Sequence, residues 1–251
     1  MQFELTCTQR DIQKAAKEFA EKEFELDLAL ELEKEGNWAN QSSCGLTSMK
    51  RELLAKLGSK DAALESAWDE FKKYPEEYTY DELMKYIPKD DYEHWHKKAI
   101  DEAKSKSLSG TIEICIKTRE YDILNESIIS AGNEQLEDII YTTTQKAAEI
   151  LIKRYPLSAA KIYCALGINI LKSKKSKYYK VAVENFHRAK SLYEKSNNEK
   201  EWLSLVDDIY KNYSRKYSFM NDFEKLVSGK YPENVKSFIE KTKERWKKQT
   251  E

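Results

Sequence analysis

Residues 155–220 read YPLSAAKIYCALGINILKSKKSKYYKVAVENFHRAKSLYEKSNNEKEWLSLVDDIYKNYSRKYSFM, and this stretch decides the fold class. Tyr178, Val181, Ala182, Phe186, Ala189, Leu192 and Tyr193 recur at steps of three and four, the spacing that puts side chains on one face of an α-helix. Lys180, Glu184, Arg188, Lys190 and Glu194 fall between them and are expected to face water. The small Ala182 and Ala189 beside aromatic neighbours let a second helix approach closely. Asn197-Asn198 then supplies a turn, after which Trp202, Leu205, Val206, Ile209 and Tyr213 begin the next apolar stripe. A connection this short makes the two helices antiparallel neighbours. The stretch reads as three consecutive amphipathic helices and carries no catalytic signature.

The same grammar extends outward in both directions. Thr47 or Ser48 caps a helix through Leu53, Leu54 and Leu57 that Gly58 stops; Ser59 starts another bearing Ala63, Leu64, Ala67, Trp68 and Phe71. Thr79 with Glu82, and Asp90 with Glu93, read as capping boxes. Gly110 precedes the short apolar helix TIEICIKT, Glu120-Tyr121 opens a helix through Ile128, and Asn133 opens one long helix through Leu136, Ile140, Ala147, Ala148 and Leu151. Beyond the central stretch, Phe219, Phe223 and Leu226 share one face ending near Gly229, and Pro232 opens a last helix through Val235, Phe238, Ile239 and Trp246. At the other end Thr6 and Gln9 form a capping box for a long helix that stops at Gly36.

Composition agrees with long solvated helices. Charged residues make up 35% of the 251, with only 7 glycines and 4 prolines, which argues against a β-rich fold. The 43 basic and 44 acidic residues leave a formal net charge of -1, so global charge points to neither a nucleic acid nor a membrane partner. No apolar run approaches the ~18 residues of a membrane span and the N-terminus has no signal-peptide pattern, so a cytoplasmic location is expected.

Chemistry-bearing residues are scattered. Cys7, Cys44, Cys115 and Cys164 show no CxxC, CxC or CxH spacing, which points away from a zinc knuckle or redox pair; Cys115 and Cys164 lie in apolar stripes and are expected to be buried and inert. His94 and His96 stand two apart on a helix, diverge, and are expected at its surface, as is His187. Glu76-Glu77, Asp90-Asp91 and Asp207-Asp208 read as solvated faces or caps. No Walker loop, dinucleotide fingerprint, HExxH or GxSxG occurs, so neither catalytic residues nor a cofactor or metal site is expected.

One cluster stands out as a partner surface: Lys172, Lys174, Lys175, Lys177 and Lys180, with Tyr178 and Tyr179 among them. Lysines beside tyrosines can meet phosphates and stacked bases. The competing reading is a solvated loop whose tyrosines turn inward. The C-terminal KTKERWKK is a second basic end, with Lys247 and Lys248 placed to complement a helix dipole and Trp246 to dock.

Two resemblances follow. MQFELTCTQRDIQKAAKEFAEKEFELDLALELEKEGNW, residues 1–38, resembles the opening helix of acyl-CoA dehydrogenases through the phrase Leu5-Thr6, Gln9, Ile12 and Phe19-Ala20. That resemblance implies a scaffold helix only, because the family's β-rich middle domain and catalytic glutamate have no counterpart here. Residues 46–226 are similar to the helical region of bacterial SWIM-type zinc-finger proteins. The likeness lies in Ala63, Ala67-Trp68, Phe71 and Pro75, then the Trp95 helix, then Tyr155-Pro156, Ala159 and Tyr163. The zinc motif of those proteins is absent, so the resemblance implies a helical repeat without zinc.

The expectation is an all-α chain of stacked antiparallel helix pairs, tetratricopeptide-like or irregular, preceded by a long N-terminal helix. Residues 1–38 form that helix, 39–46 a linker and 47–251 the repeat domain. The expected function is a non-enzymatic scaffold for an unidentified protein partner. The alternatives are a truncated or fused acyl-CoA dehydrogenase-like oxidoreductase and a nucleic-acid-associated helper.

Overall fold

The computed structural model describes residues 43–231 apart from Leu57, with side chains from Thr47 onward. The helix expected over residues 1–38, most of the 39–46 linker, and the last helix with Trp246, Lys247 and Lys248 lie outside the described residues. Among the described residues every regular element is helical. The helices are α1 Ser43–Lys56, α2 Lys60–Lys73, α3 Glu77–Lys85, α4 Tyr92–Lys106, α5 Leu108–Thr118 and α6 Tyr121–Ser130. They continue with α7 Asn133–Glu137, α8 Tyr141–Leu151, α9 Pro156–Lys172, α10 Tyr179–Lys195, α11 Glu199–Tyr213 and α12 Tyr217–Val227. Turns of 3-10 helix, Lys89–Asp91 and Ser176–Tyr178, precede α4 and α10.

The chain divides into two compact units. The described part of the first runs to Tyr74 and from Tyr78 to His96. There α1 packs along α2, and Gly58 (φ +85) ends α1 in the left-handed conformation that glycine adopts without strain. Ala63, Ala67 and Phe71 of α2 and Tyr80 and Leu83 of α3 are buried. Aromatic edges fill the spaces, with Trp68 and Trp95 T-shaped at 5.4 Å and Phe71 edge-on to Tyr80 at 6.4 Å. Ser48 lies inside α1 and caps nothing, since its hydroxyl donates to Glu82 at 3.0 Å. The Thr79–Glu82 capping box does not form either. Thr79 lies within α3 and donates to the carbonyl of Tyr74, while Glu82 is buried.

The second unit comprises Pro75–Glu77 and the chain from Lys97 onward. The α9–α10 hairpin is its most extensive contact; α8 packs on α9, α5 on α6, and both α11 and α12 on α10. The single long helix expected from Asn133 is two helices, α7 and α8, broken at Asp138–Ile140. The break has a local cause. The β-branched pair Ile139-Ile140 has low helix propensity, and Ile140 takes an extended ψ of 127° as it leads into α8. Ser107 caps α5 by accepting from the amide of Gly110 at 3.0 Å. Gly110 is there because a Cβ would fall 1.6 Å from the carbonyl oxygen of Pro75.

Helix α9 is the centre of this unit, and its two faces have different chemistry. One face is small and apolar toward α10. On the other, Ser158 donates to Asn125 at 2.6 Å, and Lys161 donates to the carbonyls of Ile129 and Ala131 at 2.9 and 2.5 Å. Asn169 donates to the carbonyl of Glu137 at 2.6 Å, and Lys172 meets the Glu137 carboxylate at 2.5 Å. Positions 158, 161, 169 and 172 recur at helical spacing, so one polar stripe ties α9 to α6 and α7. Lys161 also satisfies carbonyls left open where α6 ends. Burial lowers the pKa of its ammonium.

Candidate partner surface

The connection from α9 to α10 carries the basic cluster. Helix α9 ends at Lys172, Lys174 takes a left-handed backbone (φ +58), and the 3-10 turn Ser176–Tyr178 leads into α10. The turn between α11 and α12 meets it at the same end of the unit, because Lys216 donates to the Tyr179 hydroxyl at 3.1 Å. The seven residues of the cluster do not act together. Lys172 is held by the buried Glu137 carboxylate, whose hydrogen bond raises its pKa. Tyr179 is buried, edge-on to Phe219 at 6.0 Å. Tyr178, expected on the apolar face of α10, is 41% exposed with the Lys177 ammonium 4.8 Å above its ring. The correction is one residue of register. Tyr179, Ala182, Val183, Phe186, Ala189 and Tyr193 form the buried face, and Tyr178 ends the preceding turn.

Lys174, Lys175, Lys177 and Lys180 remain exposed, with Lys174, Lys175 and Lys180 outside the ion pairs formed among the described residues. The sequence reading missed two contributors from the neighbouring turn. Arg215 is exposed, and Tyr217 is 77% exposed beside Lys216. Only their charge and aromaticity signalled them, since nothing in the linear order places residue 215 near residue 175.

The other groups weighed from sequence are accounted for. Cys115 and Cys164 are buried, and burial pushes both thiols up to about 12; the Cys164 thiol donates to the Tyr193 hydroxyl at 3.7 Å. Cys7 and the Cys44 side chain lie outside the described residues. His94 is exposed, whereas His96 is half-buried, stacked on Tyr92 and 2.7 Å from the Tyr80 hydroxyl. His187 is half-buried against Tyr231, with ring centres 5.5 Å apart. Glu76-Glu77, Asp90-Asp91 and Asp207-Asp208 are all exposed.

The buried carboxylates are others. Glu82 and Glu137 are covered, and Glu82 belongs with fully buried Arg51, which pairs with Glu70 and places Nη1 3.7 Å from Glu82. Lys85 also pairs with Glu82 at this cluster. Among the described residues no group of three or more His, Cys, Asp and Glu side chains could hold a metal ion, and no helix is long and apolar enough to cross a membrane. An open depression lined by Tyr210, Asn221, Glu224, Lys225 and Lys230 lies between α11 and the end of α12.

Comparison with known proteins adds one finding. Residues 14–222 match the model of a family described as a family of unknown function (DUF6880), and the chain belongs to that family. No curated protein and no solved structure matches the chain.

Proposed function

We propose that this member of the DUF6880 family is a non-enzymatic helical scaffold in the cytoplasm that binds a protein partner, with the basic end of its second unit as the contact surface. The observation carrying the proposal is the gathering of Lys174, Lys175, Lys177, Lys180 and Arg215 with exposed Tyr178 and Tyr217. Among the described residues Lys174, Lys175, Lys180 and Arg215 form no ion pair, and Tyr217 leaves most of its surface open. Exposed tyrosine and arginine are types that anchor interfaces, and the lysines around them supply charge complementarity. The packing of the described helices against one another supports the scaffold part of the reading.

The test is lysine-directed cross-linking in the source cells followed by mass spectrometry. A protein cross-linked through Lys174, Lys175, Lys177 or Lys180 supports the proposal. Recovery of cross-links only within the chain overturns it.

A further inference from the structure

We infer that the basic end recognises an acidic polypeptide segment, rich in aspartate or glutamate, presented by the partner. This rests on the scaffold reading and names the chemistry of its partner. Three observations favour a polypeptide carboxylate over a nucleic acid. First, a lysine at this end already holds a polypeptide carboxylate, since Lys172, the last residue of α9, meets Glu137 at 2.5 Å. Second, Tyr217 presents one open ring, but Tyr178 and Tyr179 do not extend it into a stacking platform. Tyr179 is in the core, and one face of Tyr178 lies beneath the Lys177 ammonium, whereas single-stranded nucleic acid is held by rings open to its bases.

Third, the positive surface is short. Its members are Lys174, Lys175, Lys177, Lys180 and Arg215, four of them lysines without the planar fork that suits phosphate. The formal net charge of the chain is -1. A patch of five cations matches a segment of about eight residues better than a long polyanion. The lysines reach outward as mobile point charges, so the contact relies on charge density and is sensitive to salt.

The probe is a fluorescein-labelled peptide of about eight glutamates, titrated with the full chain at about 50 mM salt and followed by anisotropy. Saturable binding is expected, weakened about tenfold or more by about 300 mM salt and by the combined variant Lys174→Ala, Lys175→Ala, Lys177→Ala, Lys180→Ala. All four side chains are exposed, and an unchanged helical circular dichroism spectrum would establish that the variant is folded. Three results overturn the inference: no binding by the unaltered chain, equal binding by the variant, or tighter binding of an oligouridylate of the same length. A cross-linked partner protein combined with any of these would leave the scaffold standing and discard only the acidic chemistry.

Discussion

Phe186 occupies the space where Gly167 would carry a side chain, since a Cβ there would fall 2.6 Å from two atoms of the ring. The ring has no room to retreat, being fully buried with Phe219 and Phe223 at 5.9 and 5.6 Å. The contact therefore fixes how closely α9 and α10 approach.

Gly167→Ala should destabilise the protein by about 1–3 kcal/mol, because the overpacking strain outweighs the better helix propensity of alanine. For a chain of this size each kcal/mol lowers Tm by roughly 2–4 °C. Thermal unfolding of the variant checks this, and an unchanged or raised Tm would contradict the packing described.

Arg51 is enclosed by Glu70 and Glu82. Arg51→Ala should cost about 3–5 kcal/mol, because Glu70 loses its cation in a covered site and Glu82 is left with Lys85. Replacing the whole cluster with Arg51→Met, Glu70→Gln and Glu82→Gln should cost much less than the sum of the separate losses. Urea titrations of the single and combined variants measure both quantities, and additivity would show that the three groups do not form one network.

Cys115 and Cys164 should be silent to a disulfide reagent such as DTNB in the native protein and react on unfolding. A variant with Cys7→Ser and Cys44→Ser isolates them. Their thiols have folded pKa values raised from 9.0 to about 12, so the folded state holds its protons longer than the unfolded chain. The stability this contributes is complete below pH ~9 and is lost as pH rises from there toward ~12. Rapid native labelling at pH 8 would refute their burial.

Lys172→Ala should lower stability by about 1 kcal/mol, a modest amount because the lysine is half-exposed although its partner Glu137 is covered. The hydrogen bond that Lys172 donates to Glu137 raises the lysine pKa above 10.5. Its contribution is therefore full below that value and disappears as pH climbs through the raised pKa. Lys174→Ala, two residues on, should leave stability unchanged. Equal losses at the two positions would mean that the polar stripe of α9 is not specific.

Several elements were legible because local rules suffice for them. The stripes of α2, α9, α11 and α12 follow the apolar period, and Gly58, Asn197 and Gly229 stop helices with positive φ as their types allow. The cysteines were placed by their apolar neighbours. Other readings failed where the decisive partner was distant in sequence or where two local signals competed. Thr79 and Glu82 have capping-box spacing, yet Glu82 is drawn to Arg51 and Ser48, more than thirty residues earlier. The helix expected from Asn133 keeps its apolar period across the break, while the backbone turns extended at Ile140.

The candidate surface divides in the same way. Amino-acid sequence alone determined that the chain is helical, where several helices end, and that lysines gather between α9 and α10, because helix periodicity and composition act within a few residues. Only tertiary structure decided which of those lysines is withdrawn to Glu137, which tyrosine turns inward against Phe219, and that Arg215 and Tyr217 join the same end. The physical reason is that a side chain's burial and charge partner depend on the helix packed against it, and the sequence order does not carry that neighbour.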